Sequence, residues 1–191
     1  FDEKLKLIVD GLQDTGWQRV SLTLRDEDFN ATQIISAGFT EAELQQRNKN
    51  ALSPAMWLSF LNDPDFQQYK QGSCYFVPEE SNWAIENLGD AIPARSGAHK
   101  GPQYWHAYDF LVIPLLNRDQ QRIGLIGLDE PKNGRRPGQR TFQIIELYAQ
   151  FATSIIENAQ LVEDSLARSA DLENIVQASQ ALSTMLEEDM I

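Results

Sequence analysis

The stretch DFLVIPLLNRDQQRIGLIGLDEPKNGRRPGQRTFQIIELYAQFATSIIENAQL, residues 109–161, decides the fold. It opens with an apolar run from Phe110 to Leu116, passes through the polar segment 117–121 and returns as a second apolar run at 123–128. Two such runs joined by a short polar turn predict a β-hairpin at the centre of a sheet, because a strand covered on both faces loses its polar alternation. Pro114 is the misfit: proline offers a ladder no donor, so its nitrogen is expected to face a bulge. Gly124 and Gly127 lie in a strand rather than a strand-to-helix loop, which favours close approach of a neighbouring backbone or helix over a phosphate cradle. From Thr141 the pattern turns helical and meets no breaker, about 48 residues or roughly 70 Å at 1.5 Å per residue.

Working back from this stretch, Leu5, Ile8, Val9 and Leu12 fall at helical spacing ahead of Gly16. Val20, Leu22 and Leu24 then alternate with Arg19, Ser21 and Thr23, the period of a half-buried strand. A polar turn at 26–30 leads to a second strand at 32–39, and the pair predicts another hairpin. Thr40 with Glu43 is a capping-box spacing, and Ser53 before Pro54 is an N-cap with proline in the first turn, so two short helices are expected within 41–61. A short strand at 74–77 ends at Pro78. The segment 79–107 that follows has little periodicity and is broken by Gly and Pro; loops of that length are usually functional or disordered. It carries both histidines, His99 and His106, with Trp83 and Trp105. A tryptophan face gains most when buried, so Trp105 is expected to pack.

Length and composition set the class. The chain has 191 residues, 42 % hydrophobic and 23 % charged, which suits one well-buried domain plus an appendage. Its longest apolar run, 110–116, is far short of the roughly 18 residues a membrane span needs. Sixteen Lys and Arg against 28 Asp and Glu leave a net charge of −12, a field that repels phosphate backbones and anionic lipid, so neither a nucleic acid nor a membrane is an expected partner. The single cysteine, Cys74, allows no intrachain disulfide and fits a reducing, cytoplasmic setting. The first residue is Phe1 and the periodic pattern still runs at Ile191, as in a piece of a longer protein.

Within the terminal helix, Ala152, Ile155, Ala159, Val162 and Leu166 follow the alternating three and four spacing of a coiled-coil seam. The stripe then restarts one residue out of step at Leu172, Ile175, Ser179, Leu182 and Leu186. Two readings stay open. The first stripe packs on its own domain and the second begins a new element, or both form one dimer seam with a register fault.

The element order, helix, hairpin, short helices, strand, long loop, hairpin and long helix, describes an α+β protein: a central antiparallel sheet of five or six strands with helices on its faces. Together with the motifs of 109–161, it resembles the GAF domain of bacterial and archaeal signalling proteins. The carriers are the vPL-like triplet 113–115, the strand GLIGLD at 124–129, the loop 133–137 and the helix ATSIIENAQL at 152–161. Asn133 departs from the usual aspartate, and CYFVP at 74–78 is similar to the family's S-Y-F-I-P with cysteine for serine. The resemblance covers roughly 5–161, so a sensory domain at 1–161 and a signalling helix or coiled-coil linker at 162–191 are expected. It also implies a multidomain parent of the two-component class, with an output domain in the same chain.

Catalysis is not expected, because Cys74 and the two histidines carry no flanking nucleophile motif. The resemblance implies nothing more specific. GAF-type methionine sulfoxide reductases use several cysteines, bilin-binding members attach through a cysteine followed by histidine, and the cyclic-nucleotide signature is incomplete here. The scattered spacing of Cys74, His99 and His106 argues for loop hydrogen bonding over a metal. A pocket remains. In this fold a ligand lies between one sheet face and its cover, and the candidate wall residues are Phe76, Trp83, Tyr104, Trp105, His106 and Asp109; the same aromatics could equally fill the core. The ligand is unidentified and no cofactor is assigned. The candidate homodimer surface is Leu166, Leu172, Ile175, Ser179, Leu182 and Leu186. The expected function is thus a non-catalytic sensory domain that passes its ligand state through a dimeric helix; the alternative is a ligand-free structural dimerisation module.

Overall fold

The computed structural model describes residues 1–87 and 101–188 and, at Ala84, Asp164 and 177–188, the backbone alone. His99 lies outside the described residues, as do the side chains of Ser179, Leu182 and Leu186. The chain divides into two units, Phe1–Ser154 and Ile155–Ile191.

In the first unit, helix α1 (Asp2–Asp14) precedes strands β1 (Trp17–Arg25) and β2 (Ala31–Ala37). Helices α2 (Glu41–Lys49) and α3 (Pro54–Asn62) follow, then the short strands β3 (Lys70–Gln71) and β4 (Cys74–Val77). The one-turn helix α4 (Trp83–Asn87), the hairpin strands β5 (Phe110–Leu116) and β6 (Arg122–Pro131), and helix α5 (Gln139–Glu188) complete the order. The strands form one antiparallel sheet in the order β2-β1-β6-β5-β4-β3. This is the expected α+β architecture, with six strands.

Both capping expectations hold. Thr40 Oγ1 accepts from the Glu43 backbone N–H while the Glu43 carboxylate accepts from that of Thr40, and Ser53 Oγ accepts from the backbone N–H of Met56 with Pro54 in the first turn. The Pro114 expectation is corrected. The pairing with β6 runs through Pro114↔Leu125 and shifts one residue later, between Leu115 and Leu116. Strand β4 pairs with β5 only as far as Val112, so Pro114 lies past the end of that ladder, where its missing donor breaks no sheet bond.

Register divides the sheet into two unlike faces, because directly opposed residues point the same way. On the first, Val20, Leu22 and Leu24 lie opposite Leu128, Ile126 and Gly124, which in turn oppose Leu111, Ile113 and Leu115. These are buried with Leu5, Val9 and Leu12 of α1 and Ile145, Ala149 and Ala152 of α5. The two helices meet there so closely that a Cβ on Gly11 would stand 2.8 Å from the Tyr148 ring. On the second face, Tyr75, Val77, Val112 and Leu125 pack with Leu52, Trp57 and Leu61 from α3 and its approach. Toward β1 that packing gives way to Ser21, Thr23 and Arg25.

The second unit is helical. Ile156 at its start is buried, but from Leu161 onward the large apolar side chains Leu161, Val162, Leu166, Leu172, Ile175 and Val176 are exposed, Leu166 to 66 %.

Candidate functional site

On the second face a cavity of about 510 Å³ lies between the sheet and the α2–α3 segment. Its floor comes from β1 and β6, where the absence of a side chain at Gly127 leaves room: a Cβ there would meet only Ser21 Oγ, at 3.1 Å. Gly124 has the other role, since a Cβ would fall 2.7 Å from the Thr23 carbonyl oxygen. The roof includes Phe39, Arg47, Leu52 and Trp57, and Ala107, Tyr108 and Asp109 close one side.

The roof is held by charge as much as by apolar packing. Helix α2 has no buried side chain. Its anchor is Glu43, whose Oε1 accepts from Arg19 Nη1 at 2.8 Å. Arg19 is 1 % exposed and also meets Asp129 at 2.9 Å and Glu130 at 3.2 Å, tying α2 to β1 and β6. A guanidinium so deep is tolerated only because carboxylates surround it.

Arg25 and Arg47 line the same cavity in a different state. Arg25 donates from Nη1 to the Phe29 carbonyl at 2.7 Å, and Arg47 from Nη2 to Thr23 Oγ1 at 3.4 Å. Arg25 Nε and Arg47 Nη1 are buried and meet no acceptor among the described residues. Their planes lie near rings instead: Arg25 is 4.8 Å from the Phe29 ring centroid and 5.7 Å from that of Trp57, and Arg47 is 5.7 Å from that of Phe39. Burial holds both guanidinium pKa values below the ordinary arginine value, and the charge of Arg47 adds to the effect at Arg25.

Of the six residues expected to wall a ligand site, the structure places Asp109 at the cavity. Its carboxylate is occupied. It accepts from the backbone N–H of Glu79 at 2.8 Å and of His106 at 3.0 Å, and from Arg136 Nε and Nη2 at 2.7 Å each. Arg136 also reaches Glu80 at 2.6 Å; burial alone would lower its pKa, but these hydrogen bonds hold it above the ordinary value. Asp109 thus fastens the loop ahead of β5.

The other five lie elsewhere. Phe76 pairs with Leu111 and therefore sits on the first face, away from the cavity, while its neighbours Tyr75 and Val77 point to the second. Trp105 is 7 % exposed, as its packing expectation required; it stands edge-on to Trp17 at 5.7 Å and lies 6.0 Å from Phe76. Its backbone N–H donates to the Gly134 carbonyl and Tyr104 bridges to Arg135, so this loop docks on the segment after β6. The His106 ring is within 3.2 Å of the Gly101 carbonyl and 3.9 Å of Glu79. Trp83 packs among Phe60, Phe66 and Phe110, with ring centroids 4.6 to 5.6 Å apart.

Cys74 is buried on the first face, and burial, with Glu146 nearby, pushes its thiol up to about 12. That is the state of a packed thiol rather than a nucleophile. Among the described residues no group of three or more His, Cys, Asp or Glu could hold a metal ion, and no helix is long and apolar enough to cross a membrane.

No protein-family model matches the chain, and no curated protein matches it in sequence. Solved structures do match. The GAF domain/HD domain protein from Geobacter sulfurreducens superposes with a TM-score of 0.55 at 15 % identity, over 84 % of this chain and 94 % of that one. The GAF domain of an Acinetobacter phosphoenolpyruvate-protein phosphotransferase gives 0.52 at 14 % identity, covering 84 % of each. A fragment of a methyl-accepting chemotaxis protein gives 0.52 at 19 % identity, over 84 % of this chain and 91 % of that one. With the sheet order and the helices on its faces, these likenesses give the chain the α+β fold of GAF domains.

Proposed function

We propose that this chain is a non-catalytic regulatory sensory domain of a two-component signalling protein. In this reading a small molecule occupies the cavity under α2 and α3, and α5 carries the occupied state to an output domain of the same parent chain. The observation that carries the reading is the cavity itself. About 510 Å³ lies within the range of small-molecule sites, and it combines apolar walls with a few polar groups. Its roof helix α2 buries no side chain and is held to the sheet chiefly through Glu43, which makes it the covering element that occupancy could move. The solved structures sharing the fold include a GAF domain/HD domain protein and a chemotaxis protein, which supports a signalling setting.

The transmitting step is a homodimer formed through α5. The exposed side chains of Leu166, Leu172 and Ile175 would each gain roughly 1.5 to 3 kcal/mol on burial, which pairing with a second copy supplies. Native mass spectrometry of the purified protein tests the first step: a bound small molecule lost in Gly127→Val, whose side chain would enter the cavity, supports the reading. A cavity empty in every preparation and indifferent to added compounds would reduce the domain to a spacer. Sedimentation tests the second. A dimer at micromolar concentration should dissociate in the Leu172→Glu, Ile175→Glu double variant, and a monomer unaffected by it would end the proposal.

A further inference from the structure

We propose that the ligand of this cavity is an organic anion, an apolar body carrying a carboxylate or phosphate group, whose oxygens are taken by the guanidinium groups of Arg25 and Arg47. The inference rests on the reading of the cavity as a small-molecule site and names the class of molecule it takes.

Arg19 is met by Glu43, Asp129 and Glu130, and Arg136 by Asp109 and Glu80. In a chain with 28 acidic residues against 16 basic ones, carboxylates are plentiful. Yet neither Arg25 nor Arg47 forms an ion pair among the described residues, although both line the same cavity and each keeps one buried nitrogen without an acceptor. An uncompensated guanidinium edge in a partly desolvated site costs stability, because the water it has lost is not replaced. Two such guanidinium groups lining one cavity add mutual repulsion. Local rules broken without a structural gain mark functional sites.

The remaining lining agrees. Its two carboxylates are already used, Asp109 by Arg136 and Asp129 by Arg19, and of the two arginines facing no ion-pair partner Arg25 feels the charge of Asp26 only at longer range. Ser21, Thr23, Asn30 and Asn48 add neutral polar groups around them. Phe29, Trp57 and Phe39 place ring centroids 4.8 to 5.7 Å from the two guanidinium carbons, and guanidinium N–H donors are the groups with which arginine binds carboxylate and phosphate. Ile34, Trp57, Val112 and Leu125 provide the apolar wall for the body of the molecule. Burial and the proximity of the second cation already disfavour charge on Arg25, and an anion between the two would relieve both effects.

Calorimetric titration of the 191-residue chain with benzoate, phenyl phosphate, benzamide and benzyl alcohol, each to 10 mM (roughly the millimolar limit of useful affinity), tests this. At least one anion should bind tenfold or more tightly than both neutral probes. Arg47→Gln should weaken that anion at least tenfold and leave the neutral probes unchanged, while Arg47→Lys should keep more affinity for phenyl phosphate than for benzoate if phosphate is the group bound, and lose both alike if carboxylate is. Arg25→Gln, run beside it, guards against one variant that fails to fold. Neutral probes binding as tightly as the anions, with no loss in either variant, would overturn the anion site and leave the cavity as a site for neutral molecules. Silence from all four probes overturns it too, and a neutral molecule found by native mass spectrometry would then still uphold the broader sensory reading.

Discussion

The two faces of one sheet are built to opposite ends. Across β1, β6 and β5 the first face presents Val20, Leu22, Ile126, Leu111 and Ile113, sealed by α1 and the start of α5. One residue out of phase on the same strands, the second presents Ser21, Thr23, Arg25 and Gly127 beneath a helix with no buried side chain. A strand's period of two lets neighbouring residues serve unrelated purposes. Here stability is concentrated on one side and vacancy, charge and polar groups on the other.

The sharpest break of this comparison is Ile126→Ala. Ile126 is fully buried on the first face, and truncation should cost about 3 to 4 kcal/mol, a fall of roughly 6–14 °C in thermal midpoint. Gly127→Val, the next residue, should change stability by less than about 1 kcal/mol, since its Cβ meets only Ser21 Oγ, which can turn away. Equal losses at the two positions would erase the distinction.

Asp109→Asn comes second, at about 2 to 3 kcal/mol in denaturant unfolding, because Arg136 loses its bidentate partner and keeps only Glu80. Arg47→Met has the opposite sign. Removing one of two facing, partly desolvated cations should raise ligand-free stability by about 1 kcal/mol, a trade of function against stability that the first face does not offer.

The smallest effect belongs to Glu80. Its hydrogen bond to Arg136 lowers its pKa in the folded protein, so its contribution is present above the ordinary carboxylate pKa and is lost as pH falls through the folded value. Its side chain is 55 % exposed, and solvent screening keeps the worth below about 0.5 kcal/mol. Unfolding of Glu80→Gln should therefore match the parent in acid, once pH has fallen below the folded-state value, and fall slightly behind it near neutrality.

Much of the fold was legible because its signals are local. The capping box at Thr40 and Glu43, the proline start at Pro54 and the apolar runs of β5 and β6 each specify an element within a few residues. Strand β3 was not legible: two residues long, it exists only because Gln71 and Lys70 meet Cys74 and Tyr75. The site was hidden by the same locality. Arg19, Ser21 and Thr23 alternate with apolar residues as a solvent-facing edge would, and their burial depends on α2 folding back over β1. The Asp109–Arg136 pair spans 27 residues, so spacing could not show that the carboxylate was already engaged. The aromatic ring of Phe76 marks it as a wall candidate in the sequence, but only its pairing with Leu111 reveals which way it points. The usable signal was the strand period itself: Ser21, Thr23 and Arg25 share one face with two polar chains and a long cation, an unusual set for the middle of a sheet.

Glu43 gives the roof a clock. One of its oxygens caps the first turn of α2 while the other holds Arg19, so a single carboxylate fixes both the start of the helix and its attachment to the sheet. Release of that side chain frees both at once, and the amides of α2 should exchange with solvent deuterium together and earlier than those of β6, through opening on the microsecond-to-second scale of lid motion. The contact is ionic and its Glu43 end is 15 % exposed, so added salt should quicken the exchange modestly. Access to the cavity would then be timed by ionic strength, whereas the first face, sealed mainly by apolar packing, would keep its own rate.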